Sequence, residues 1–161
     1  MLEDKRVLLG IFLVFSLVLF LFLFRFRISP AQNLTQVKFE KKSDLFYEYE
    51  IFRYPVRAKV LKGVFNVGVS VDTNILDFGE LPLGSKGKKT IWLNNSEEKE
   101  VKVEIIIFGE IKPFLKVEEE SFVLTANEKK PIIVEFNALK EGNFTGELDI
   151  LIKKPRSLFS L

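Results

Sequence analysis

Four groups of residues carry side chains that could do chemistry, and each lacks a necessary companion. Asp77-Phe78-Gly79 matches the triplet with which a kinase holds its metal, but a kinase also needs a His-Arg-Asp loop, and the chain has no histidine. Gly79 to Gly84 has the spacing of a phosphate loop, yet Ser85-Lys86 follows where Lys-Ser/Thr is required, and no helical pattern opens there. Glu118-Glu119-Glu120 offers oxygens to a hard cation without the spaced Asp/Asn ligands of a dedicated loop. Glu48 and Glu50 share one strand face, with nothing to bury one and solvate the other as acid–base work requires. The absence of histidine removes the commonest general base, and the absence of cysteine removes disulfides and thiolate metal sites. The expectation is a non-enzymatic chain with no catalytic residue, cofactor or metal.

Recognition chemistry is better represented. Trp92, the single tryptophan, lies between Ile91 and Leu93, which take the inward places of a strand, so Trp92 should point outward. It is either covered by the added segment Leu45–Val67 or exposed as an anchor for a partner, since tryptophan is a frequent hot spot. Ile106 and Phe108 alternate with inward Val103, Ile105 and Ile107, and join Trp92 as candidate partner-binding residues on a neighbouring strand. Lys86, Lys88 and Lys89 read as a solvated hairpin loop. From Ala31 onward the chain has 20 Lys/Arg and 20 Asp/Glu, a neutral balance that gives no footprint for nucleic acid. Asn33-Leu34-Thr35, Asn94-Asn95-Ser96 and Asn143-Phe144-Thr145 are glycosylation sequons, making Asn33, Asn94 and Asn143 glycosylation candidates.

These residues need elements to hold them. Val7 to Phe24 is an 18-residue run without a charge, broken only by Gly10 and Ser16. As a helix it would span about 27 Å, close to the hydrocarbon thickness of a bilayer. Lys5 and Arg6 flank it on one side and Arg25 and Arg27 on the other, placed to reach headgroups. A cleaved signal peptide is the competing reading, but the run exceeds the usual ~7–15 residues and two arginines precede the small residues Ser29-Pro30-Ala31. Flanking charge favours a cytoplasmic body, and the three sequons favour the outside.

The rest reads as short strands. Leu45–Phe52 alternates, and Val56–Val71 continues in β fashion around Gly63 and Gly68. Ile75–Phe78 leads into a turn built from Gly79, Pro82 and Gly84. Lys89–Leu93, Glu100–Phe108, Phe114–Glu118, Ser121–Thr125, Pro131–Asn137 and Asn143–Ile152 follow, separated by turn residues. Ile132, Val134 and Phe136 point inward, as do Phe144, Leu148, Ile150 and Ile152, opposite Thr145, Glu147 and Asp149. Regular short strands of this kind argue for a sandwich. Lys and Glu supply 35 residues while Gln appears twice, a balance resembling a thermophile, with an archaeal source in view.

Leu76-Asp77-Phe78-Gly79, Leu83-Gly84-Ser85 and Thr90-Ile91-Trp92-Leu93-Asn94-Asn95 together resemble the abnormal-spindle/hydin (ASH) type of immunoglobulin-like domain, its prokaryotic surface relatives and the major sperm protein fold. Ile133-Val134-Glu135-Phe136-Asn137 and Gly142-Asn143-Phe144-Thr145-Gly146-Glu147-Leu148 extend the resemblance over about Val69 to Lys153. It implies an all-β, immunoglobulin-like antiparallel β-sandwich, with Phe78 plugging one end, in a family of mostly non-enzymatic binding or assembly modules. Trp92 departs from the pattern, which has a small polar residue there.

The expected organisation is an N-terminal transmembrane anchor (1–28) and a juxtamembrane stalk (29–44). Added strands or a hairpin (45–68), the sandwich (69–153) and a C-terminal tail (154–161) follow. The expected function is a single-pass, membrane-anchored module for protein–protein interaction or scaffolding at the cell surface, its body extracytoplasmic. Its partner would be a protein such as a surface-layer or filament component, with the membrane bound through residues 7–24. The alternative is an accessory subunit of a membrane complex or surface filament with the body facing the cytoplasm.

Overall fold

The structure, a computed structural model, describes residues 12–17, 28–31, 34–63 and 75–155. The chain divides into two compact units, Met1–Pro30 and Ala31–Leu161. In the first, residues 12–17 are helical. Among the described residues no helix is long and apolar enough to cross a membrane, and most of the expected span Val7–Phe24 lies outside them. Asn33, the run from Val64 to Val71 and the tail from Arg156 also lie outside them.

The second unit is all-β, mostly in antiparallel pairs. Its large sheet is organised by two long strands, β2 (Tyr47–Leu61) and β9 (Gly142–Pro155), paired antiparallel from Tyr47↔Pro155 to Val60↔Gly142. The other side of β2 is shared. Its first half pairs antiparallel with β1 (Lys38–Ser43), and its second half pairs parallel with β3 (Leu76–Pro82). Pro55 falls in the gap between them, after Arg53↔Lys38 and before Val56↔Leu76, where a missing N–H on that side breaks no ladder. Beyond β9 lie β5 (Val101–Gly109) and β7 (Ser121–Leu124). The small sheet holds β4 (Lys86–Asn94), β8 (Lys129–Asn137) and β6 (Leu115–Val117), in the order β4-β8-β6. A 3-10 turn, Lys112–Phe114, leads into β6.

One apolar core lies between the sheets. The large sheet contributes Val56, Ala58, Val60, Val103, Ile105, Leu148 and Ile150, and the small sheet contributes Ile91, Leu93, Val117, Ile132, Val134 and Phe136. Period-two alternation puts these residues on facing sides. Phe136 is fully buried, with Phe78, Phe114 and Phe144 ring centroids at 5.5, 6.0 and 6.2 Å. Each fully buried phenylalanine contributes about 1.5–3 kcal/mol.

Three expectations change. The segment expected to pack on the sandwich as an addition is instead a central strand: β2 runs unbroken through Pro55 and supplies core residues. The strand expected to end at Phe78 continues to Pro82, because Asp77-Phe78-Gly79 forms a bulge, with the β2–β3 register shifting between Arg57 and Lys59. Gly79 takes a left-handed φ of 68°, its N–H donates to Asp77 Oδ1 at 2.8 Å, and Phe78 is turned into the core. Finally, Lys154 and Pro155, expected in a frayed tail, end β9.

Candidate functional site

Trp92 sits on β4 between buried Ile91 and Leu93, and is 60% exposed on the outer face of the small sheet. Among the described residues, none of the segment 45–63 covers it. Across the ladder it faces Pro131, with Thr90 opposite Ile133, so a small apolar surface of Trp92, Pro131 and Ile133 is open to solvent. Lys129 Nζ lies 5.0 Å from the Trp92 ring centroid. Lys86 and Lys88, on β4 rather than in a loop, share Glu135 at 2.9 and 3.3 Å.

Ile106 and Phe108 are elsewhere. They lie on β5 of the large sheet, half-buried on its outer face, and do not adjoin Trp92. The expectation of one patch on neighbouring strands therefore fails: the chain crosses from one sheet to the other between Asn94 and Val101. Asn95 fixes that crossing. It is buried, and its Nδ2 donates to the carbonyls of Lys99, Leu124 and Thr125 at 2.9, 3.3 and 2.8 Å. Asn94 and Asn143 are both exposed.

The neighbours of Ile106 and Phe108 are the least anticipated feature. Ile106 pairs with Asp149 and Phe108 with Glu147 on β9, while Asp149 pairs with Arg53 on β2. Arg53, Glu147 and Asp149 are 3%, 4% and 0% exposed. Alternation puts Glu147 and Asp149 outward as expected, yet they are buried, not solvated. Arg53 Nη1 donates to Glu147 Oε1 at 2.7 Å and to Asp149 Oδ2 at 2.9 Å, and Nη2 reaches Glu40 Oε2 on β1 at 3.5 Å. The backbone N–H of Ala31 donates to both Glu147 oxygens, at 3.1 and 2.9 Å.

Burial, followed by the hydrogen bond and charge of Glu147, pushes the Asp149 carboxyl up to about 8, against the opposing pull of Arg53. Among the described residues no set of carboxylates is arranged to hold a metal ion. Glu119, in the acidic corner, pairs with Lys130 at 3.0 Å, and Glu50 pairs with Lys41 and Lys154. Sequence reasoning missed Arg53 because its acidic partners lie 94 and 96 positions away. The local signal was two carboxylates, Glu147 and Asp149, alternating with Leu148 and Ile150.

Comparison with protein-family models, curated proteins and solved structures finds no match to this chain.

Proposed function

We propose that the chain is a membrane-anchored, non-enzymatic immunoglobulin-like β-sandwich that binds a protein partner at the cell surface. One observation carries the anchor. Phe12, Leu13, Val14, Phe15 and Leu17 point around the whole circumference of the helical segment, and each is 59–70% exposed. A helix apolar on every side is stable in a protein core or in a bilayer, and these side chains are mostly exposed.

Two sheets around one core, with Phe78 packed on Phe136, support the sandwich reading. The binding reading is supported by Trp92, Pro131 and Ile133 on the outer face of the small sheet, an apolar centre rimmed by Lys88, Lys116, Lys129 and Glu135. Exposed Asn94 and Asn143 are accessible to glycosylation, which favours an extracytoplasmic body.

Co-purification from membranes in mild detergent tests the binding reading. A protein partner should be retained by the native chain and lost from Trp92→Ser and Ile133→Ser. Retention of every partner by both variants would remove this face from the account.

A further inference from the structure

We propose that a proton shared by Asp149 and Glu147 latches the N-terminal stalk, at Ala31, onto the outer face of the large sheet. The arrangement of the pair favours such a proton. Asp149 is fully buried, and its Oδ1 accepts no hydrogen bond while Oδ2 takes the one from Arg53. Glu147 Oε1 shares the Arg53 Nη1 donor with Asp149 Oδ2, so the two carboxyls are neighbours, and both are acceptors. Two carboxyls can bond only through a proton, and one carried on Asp149 satisfies the orphaned oxygen.

Glu147 is then an acceptor for three donors: Arg53, Asp149 and the Ala31 N–H. The last of these ties the start of the second unit to the sheet. Removal of the shared proton to solvent leaves Glu147, Asp149 and Glu40 around one guanidinium. Glu40 brings Lys38 and Lys42 at 2.9 and 3.6 Å, but these cations stay at the exposed edge. From β5, Asp149 faces Ile106, and the nearest charge along that face is Glu104, paired with Leu151. None of these groups replaces the lost proton.

Asp149 is held between Arg53 and Ile106 in the sheet interior, whereas Glu147 has the longer side chain and lies under Ala31. Repulsion is therefore relieved by Glu147 turning outward, and Ala31 loses its acceptor. The stalk is clipped near neutral pH and freed as pH rises past about 8.

Hydrogen exchange at the Ala31 amide of the full chain in detergent micelles tests this. After correction for the intrinsic rate, protection should be high below pH about 8 and fall about tenfold per pH unit above it. Asp149→Asn, which keeps a permanent donor, should retain protection across the alkaline range. Glu147→Ala should lose it at every pH, while Leu148 and Ile150 amides stay protected as a control on folding. If Glu147→Ala does not fold, the native profile and Asp149→Asn decide. Ala31 protection unchanged by pH in the native chain, or lost at the same midpoint in Asp149→Asn, overturns the latch.

Discussion

Arg53 and Asp149 face each other across the central strand pair β2–β9, joined at 2.9 Å and removed from solvent. Arg53 also holds Glu147, so one guanidinium serves two buried carboxyls. Removing it leaves both without that donor, and Arg53→Met should destabilise the body by about 3–5 kcal/mol. The triple variant Arg53→Met, Glu147→Gln, Asp149→Asn should recover much of that loss in urea unfolding. A cost below about 0.5 kcal/mol for Arg53→Met would mean the cluster contributes nothing to the fold.

Asp149 sets a pH dependence of stability with a definite sign. Its folded-state pKa of about 8 lies above the ~3.9 of an unfolded aspartate. Between these values the folded state keeps a proton that the unfolded state has lost, so stability falls as pH rises through that window and levels off above it. Asp149→Asn should flatten this dependence and raise stability most at pH 8 and above. Melting temperatures across pH, native against variant, provide the check; an unchanged slope would count against a protonated Asp149.

Two glycines should resist alanine for different reasons. A Cβ on Gly146 would come within 2.3 Å of the Phe108 carbonyl oxygen and 2.5 Å of Ile111 Cγ2, so strands β5 and β9 must separate. Gly146→Ala should cost about 1–3 kcal/mol. Gly79 has open space around it, and its φ of 68° alone sets the cost of Gly79→Ala at about 1 kcal/mol. Denaturant midpoints should rank Gly146→Ala as the more damaging.

Phe136 lies at the centre of the aromatic cluster, and Phe136→Ala should lose about 3–5 kcal/mol. Trp92→Ser, at a solvent-exposed site, should lose less than about 1 kcal/mol. Paired unfolding curves separate a core aromatic from a surface one. As the sole tryptophan, Trp92 should also emit like a water-exposed indole in the native state.

The all-β character and the inward faces of β4, β8 and β9 were legible because strict alternation reports which side of a strand is buried. Ile91 and Leu93 point in and Trp92 out, as their spacing requires. The unity of β2 was hidden by Pro55, which reads as a break unless the gap between β1 and β3 is known. Trp92 and Ile106 were grouped because consecutive strands commonly pair, whereas β4 and β5 belong to different sheets. Alternation also placed Glu147 and Asp149 outward, but burial on an outer face depends on what covers the sheet. The stalk amide at Ala31 and the arginine on β2 meet them only through distant pairing.

Alkaline carbonate extraction of membranes from cells expressing the chain tests the central claim most directly. The full chain should stay in the membrane pellet, while a chain lacking residues 1–28 should be released with the same β-sheet circular dichroism. Release of the full chain by carbonate would contradict a membrane-anchored body.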